Sequence, residues 1–177
     1  YVDIRFNGTP TGDPLITLEA NDYVSAADED VWTLSWGSRI VAGDATNVTG
    51  IRARIDERAS AATIDTKRGD AETLDSTHRR NFYTATLDQA TTDALGVFVE
   101  LDWDGSGAID ITLRIYAPQL EQKAYPTSPI LPPESSPAAS DREPDDIKVE
   151  NGAWLGFGNH TLYVEWTPNY LPDSNSY

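Results

Sequence analysis

The chain has 177 residues, with 29 Asp plus Glu against 13 Lys plus Arg, a formal charge of −16, and neither Cys nor Met. Without cysteine there is no disulfide, thiolate nucleophile or cysteine-ligated metal site, and charge of this sign repels a phosphate backbone, so nucleic acid is not an expected partner. No apolar run approaches the roughly 20 residues that cross a bilayer and the opening YVDIRFNGTP is not a signal peptide, so no membrane insertion is expected.

The lack of any Met predicts a processed or partial stretch of a longer protein, and three Lys beside 19 Asp suit a protein kept dispersed in brine by hydrated carboxylates. Along the chain the dominant signal is alternation. Short strands are predicted at 2–6 and 14–20, and a stronger one at 31–41, where Trp32, Leu34, Trp36 and Ile40 face one way and Thr33, Ser35 and Arg39 the other. In 51–58, Ile51, Ala53 and Ile55 oppose Arg52, Arg54 and Asp56. The polar stretch 66–81 reads as a long loop, 82–87 as a strand, and 88–94 (DQATTDA) as a short helix capped by Asp88. In 95–101, Leu95, Val97, Val99 and Leu101 share a face; in 108–116, Ile109, Ile111, Leu113 and Ile115 point inward against Asp110, Thr112, Arg114 and Tyr116. Turn residues separate these strands, and many short alternating strands without a helical period give an all-β antiparallel sandwich over 1–124. Residues 125–146 hold six Pro and read as a semi-rigid linker, and strand character at 153–166 marks 147–177 as the opening of a second, incomplete β domain.

Asp102-Trp103-Asp104-Gly105-Ser106-Gly107-Ala108-Ile109-Asp110 matches the first nine positions of a calcium-binding EF-hand loop, with Asp102, Asp104 and Asp110 as oxygen ligands. Leu113 stands where the bidentate Glu belongs and strands flank the loop, so two readings stand: a hairpin turn, or a surface Ca2+ site of millimolar affinity. No metal or other cofactor is required by any further motif.

The outward set Arg39, Arg52, Arg54, Glu100, Asp110, Thr112 and Arg114 reads either as a polar groove on one sheet face or as cross-strand ion-pair ladders. Trp32 and Trp36 share the core parity, whereas Trp103, Tyr116 and Tyr125 lie off it or in loops and are the better contact aromatics. The candidate ligand-binding set is therefore Arg52, Arg54, Arg114, Trp103 and Tyr116. His78 falls in the polar loop and His160 in Gly-Asn-His-Thr, read as a hairpin turn, and no nucleophile elbow, phosphate loop or His-Glu-x-x-His occurs, so no catalytic residue is assigned and the chain is not expected to be an enzyme.

The blocks YVDIRFNGTPTGD, VWTLSWGSRIVAGD, GIRARIDERAS and AIDITLRIYAPQLEQ, followed by TSPILP, resemble in order a module of phage and prophage tail or fibre proteins. That module is similar to carbohydrate-binding jelly rolls of the galactose-binding-like type and is often followed by a concanavalin-like sandwich, whose first strand GNHTLYVEWTPN resembles. The resemblance implies a jelly-roll β-sandwich in a virion appendage, a tail fibre or spike, that supports recognition of a bacterial surface polysaccharide. Its implied partners are other virion subunits in a homotrimer or higher assembly. Two alternatives stand beside it: a carbohydrate-binding module of a secreted, extracellular polysaccharide-degrading enzyme, and a purely architectural fibre spacer.

Overall fold

Side chains that alternate apolar and polar can bury one face only if the backbone is extended, and a pair of such sheets then closes on a shared apolar layer. This computed structural model describes residues 1–18 and 23–129. The chain divides into two compact units, Tyr1–Asp141 and Arg142–Tyr177, and the described residues all belong to the first. The expected second domain at 147–177 and most of the linker at 125–146 lie outside the described residues.

The strands are β1 (Val2–Gly8), β2 (Leu15–Thr17), β3 (Val24–Ser25), β4 (Val31–Gly43), β5 (Val48–Ala59), β6 (Ala62–Arg68), β7 (Arg79–Thr86), β8 (Ala94–Trp103) and β9 (Ile109–Glu121). The first sheet has the order β1-β9-β4-β7, the second β2-β8-β5-β6 with β3 also on β8, and every pairing is antiparallel. The result is the all-β antiparallel sandwich expected from the alternation, and the jelly roll that the resemblance implies, with no helix among the described residues.

Between the sheets lie Leu34, Trp36, Ile51, Ile55, Leu95, Val99, Leu101, Ile111, Leu113 and Ile115, all buried. Each such side chain contributes about 1.5–3 kcal/mol on leaving water. Trp32 and Trp36 belong to this layer, as their parity predicts.

Two expectations are corrected. In place of the helix expected at 88–94, residues 88–93 form a turn that leads into β8, closed by the Thr92 amide donating to the Gln89 carbonyl, because the buried Glu57 carboxylate takes the Asp88 and Gln89 amides and the Thr92 hydroxyl. The amides expected at a helix start are thus bound by Glu57, from a distant strand, and Asp88 pairs with Lys67. The expected loop at 66–81 is shorter, since β6 runs to Arg68 and β7 starts at Arg79.

β4 is buried on both faces: Thr33 and Ser35 are as inaccessible as Leu34. The chain leaving β9 covers them. Thr33 donates to the Lys123 carbonyl at 2.7 Å, and Arg80 donates to both Ser35 and the Thr127 carbonyl. Thr127 is buckled to the strand it has just left: its amide donates to Glu121 at 2.9 Å, its hydroxyl to the same carboxylate at 2.7 Å, and Gln119 donates to its Oγ1 at 3.0 Å. A bulge in β9 sets this up. Register passes from Gly37↔Tyr116 to Ser35↔Gln119, and the additional residue falls at Ala117 and Pro118, where a residue without an N–H is tolerated. Thr127→Val should lower unfolding stability by about 1 kcal/mol and speed amide exchange at residues 123–128 while leaving β5 and β8 protected, as hydrogen-exchange mass spectrometry would read.

Candidate functional site

The five candidate residues do not share a face. Arg52 and Arg54 rise from the outer face of the second sheet, on β5 beside β8, whereas Arg114 and Tyr116 lie on the outer face of the first, on β9 beside β1 and β4. The single groove holding Arg39, Arg52, Arg54, Glu100, Asp110, Thr112 and Arg114 is therefore corrected to two surfaces. The reason is the connection between β8 and β9. Asp104–Ala108 is not a hairpin but an arch that carries the chain from one sheet to the other, with Gly105 and Gly107 at φ 80° and 69°.

The same arch separates the expected calcium ligands. Asp102 receives Arg52 at 2.6 Å and the Thr49 hydroxyl, Asp104 accepts from the Ser106 amide and hydroxyl, and Asp110 pairs with Arg5 at 3.1 Å on the first sheet. Among the described residues the carboxylates that do converge are Glu57, Asp65 and Asp88, within 4.8 Å of one another. Lys67 Nζ sits among them at 3.3, 2.7 and 2.6 Å, so an ammonium already supplies the positive charge. Burial pushes its pKa down, but hydrogen bonds to Asp65, Asp88 and Glu57 outweigh this and hold it above the ordinary lysine value.

On the first sheet Arg114 is engaged. Asp3 takes its Nε and Nη2 at 2.7 Å each, and its guanidinium lies 3.9 Å over the Tyr1 ring. Tyr116 packs across Gly37, where even a Cβ would come within 2.0 Å of the ring, and its hydroxyl donates to the Arg79 carbonyl. His78 meets it edge to face at 5.2 Å. Trp103, at the end of β8, donates from Nε1 to Gly107 and from its amide to Asp13, which ties it to the arch.

The second sheet presents a different surface. Glu100, 1% exposed, is surrounded by three guanidinium groups: Arg52 at 2.7 Å, Arg68 at 3.1 Å and Arg54 at 3.5 Å. Arg54 also grips Asp56 through Nε and Nη2 at 2.7 and 2.9 Å, and Arg52 reaches Asp13 and Asp102. For Arg54, hydrogen bonding to Asp56 outweighs burial and raises its pKa; for Arg52 burial opposes, and the hydrogen bond to Glu100 with the nearby charges of Asp102 and Asp13 prevails.

Phe98 lies on this face one strand from Arg54, whose guanidinium is 5.4 Å from the ring centroid. Arg68 is the most open of the three arginines, 43% exposed, and among the described residues the only hydrogen-bonded atom of its side chain is Nε. Arg68 and Phe98 are the residues that the sequence reading missed. Phe98 stands opposite the parity of Val97 and Val99 and was findable on that ground, whereas Arg68 fell in the expected loop.

A separate open cavity of about 470 Å³ lies beside the end of β1, lined by Phe6, Asn7, Thr11, Asp13 and Ile109 among others. Its Asp13 carboxylate is already held by Arg52 and the Trp103 amide.

No protein-family model and no curated protein matches this chain. A solved structure described as "CBM4 structure and function" is similar to it with 16% sequence identity and a TM-score of 0.38, covering 68% of this chain and 94% of that one.

Two measurements test these contacts. Glu100→Gln removes the charge that three guanidinium groups share, and should cost about 3 kcal/mol in urea denaturation; a loss under about 1 kcal/mol would mean that the pairs merely offset their desolvation. Acid should act through Asp3, Asp65, Asp75, Asp88 and Asp110, whose pKa values are lowered by hydrogen bonds from Arg114, Lys67, Arg79, Lys67 and Arg5 respectively. A carboxylate depressed on folding stabilises fully above its unfolded pKa of about 3.9 and loses that contribution as pH falls through the folded value. The melting temperature should therefore be level from neutral pH to about 5 and fall below about 4.

Proposed function

We propose that this sandwich is a non-catalytic glycan-binding module of a phage virion appendage, with its contact surface on the outer face of β5, β6 and β8. The observation that carries the binding surface is Phe98 and Arg68, an aromatic ring and an open guanidinium fork on a sheet face whose other arginines are locked in place by Glu100 and Asp56. An aromatic ring packs against the C–H face of a pyranose, and fixed donors beside it select hydroxyl directions. The virion setting rests on the sequence blocks that end in LRIYAPQLEQ and TSPILP, and with it come virion partners and a homotrimeric or higher assembly. A shallow site of this kind gives a dissociation constant of about 0.1–1 mM, which repetition in a fibre multiplies.

A specific observation favours the architectural spacer as the second reading: Arg52, Arg54 and Arg114 all have carboxylate partners within the chain. Chemical-shift mapping of the full chain against glycans from a bacterial surface separates the two. Shifts gathered on β5, β6 and β8 are the expected result; no shifts would leave the spacer reading in its place, and shifts confined to the Arg114 surface would move the contact surface to the first sheet.

A further inference from the structure

The Arg-rich face of the second sheet suggests an anion receptor, but its charge count is against that. Arg52, Arg54 and Arg68 carry three positive charges, and the carboxylates they touch, Asp13, Asp56, Glu100 and Asp102, carry four negative ones, so the cluster is negative by one. The whole chain, at −16, adds to the repulsion. A carboxylate or sulfate arriving here would have to share a guanidinium with Glu100, which is 1% exposed and cannot turn to water instead. A hydroxyl meets no such obstacle. It accepts from the unengaged nitrogens of Arg68 and donates to Asp13 and Asp102, the two resident carboxylates that are partly open, without displacing a charge.

We infer that the ligand of this face is a neutral, hydroxyl-rich polysaccharide rather than an acidic one, with Arg68 and Phe98 as its contact residues; this rests on the glycan-binding reading above. Arg68 supplies a fork whose direction is set by the bond from its Nε to Glu100. Phe98 supplies the stacking ring, half-buried in the sheet and flanked by Arg54. Arg52 and Arg54 act behind them as positioning residues, since their hydrogen bonds already hold Glu100 and Asp56.

The experiment is affinity electrophoresis of the full chain in gels containing neutral polysaccharides (dextran, laminarin, galactomannan, xyloglucan) or acidic ones (alginate, polygalacturonate, hyaluronate), repeated across salt concentrations. The expected result is retardation by at least one neutral polymer, with affinity changing by no more than about twofold between about 50 and 500 mM NaCl. Arg68→Ala, Arg68→Lys and Phe98→Ala should each weaken that binding about tenfold with unchanged circular dichroism, and Arg114→Ala should leave it unaltered. The lysine variant keeps the charge but loses the fork, so its failure to rescue separates directed hydrogen bonding from simple attraction. Preferential retardation by the acidic polymers, falling steeply with salt, would overturn the neutral-ligand inference and leave glycan binding standing. Retardation by none of the seven polymers, or equal retardation of every variant, would overturn the glycan-binding assignment of this face as well.

Discussion

One aliphatic layer, shared by two sheets, decides where every polar group of this protein can go. Leu34 and Trp36 on β4, Ile111, Leu113 and Ile115 on β9, and Ile51, Ile55, Val99 and Leu101 on β5 and β8 fill it. Because side-chain direction alternates with a period of two, fixing these residues inward fixes their neighbours outward and leaves no freedom of register. Glu57 is the informative exception. It keeps an inward parity while fully buried, and the structure satisfies it with Lys67, two turn amides and the Thr92 hydroxyl. That one carboxylate explains why 88–93 is a turn and why Lys67 is held at the side of the sandwich.

The alternation itself was legible in the sequence. Trp32, Leu34, Ile51, Val97 and Leu113 could be placed inward from spacing alone, and so could the outward direction of Arg52, Arg54 and Arg114. What spacing could not supply is the identity of the sheet, because parity is a property of one strand and sheet membership is a property of connections. The arch after Trp103 looks, residue by residue, like a tight hairpin, and only the pairing of β9 with β1 and β4 shows that it changes sheets. β6 was missed for a related reason. At an edge, with little buried on either face, ATIDTKR has no apolar period to read, although it carries Arg68 and Lys67.

The most distinctive sequence block, LRIYAPQLEQ followed by TSP, has a physical account in the exit from β9. Pro118 marks the bulge, Gln119 and Glu121 supply the partners, and Thr127 closes on them with both amide and hydroxyl. These residues are separated in sequence but form one hydrogen-bonded unit, so they constrain one another as a set. The unit also covers Thr33 and Ser35, which gives two small polar residues of the central strand the burial of core residues without apolar packing. Thr33 and Ser35 are correspondingly withdrawn from the surface, whereas among the described residues no such strap crosses Phe98 and Arg68.

This asymmetry bears on how an acidic chain can present arginines without becoming a cation patch. On the first sheet Arg5 and Arg114 each face one aspartate, an arrangement that is exposed, screened by salt and of small energetic consequence. On the second, three arginines converge on one inaccessible carboxylate, which depends on them for the counter-charge that water cannot supply. The buried carboxylate thus orders the guanidinium groups, and together with Asp13, Asp56 and Asp102 it cancels their charge. What survives at the surface is geometry: rigid donors, acceptor lone pairs and one aromatic ring. On the glycan-binding reading proposed above, selectivity would come from the directions of hydroxyl groups, because the field that would draw in an anion is neutralised by the carboxylates around the arginines.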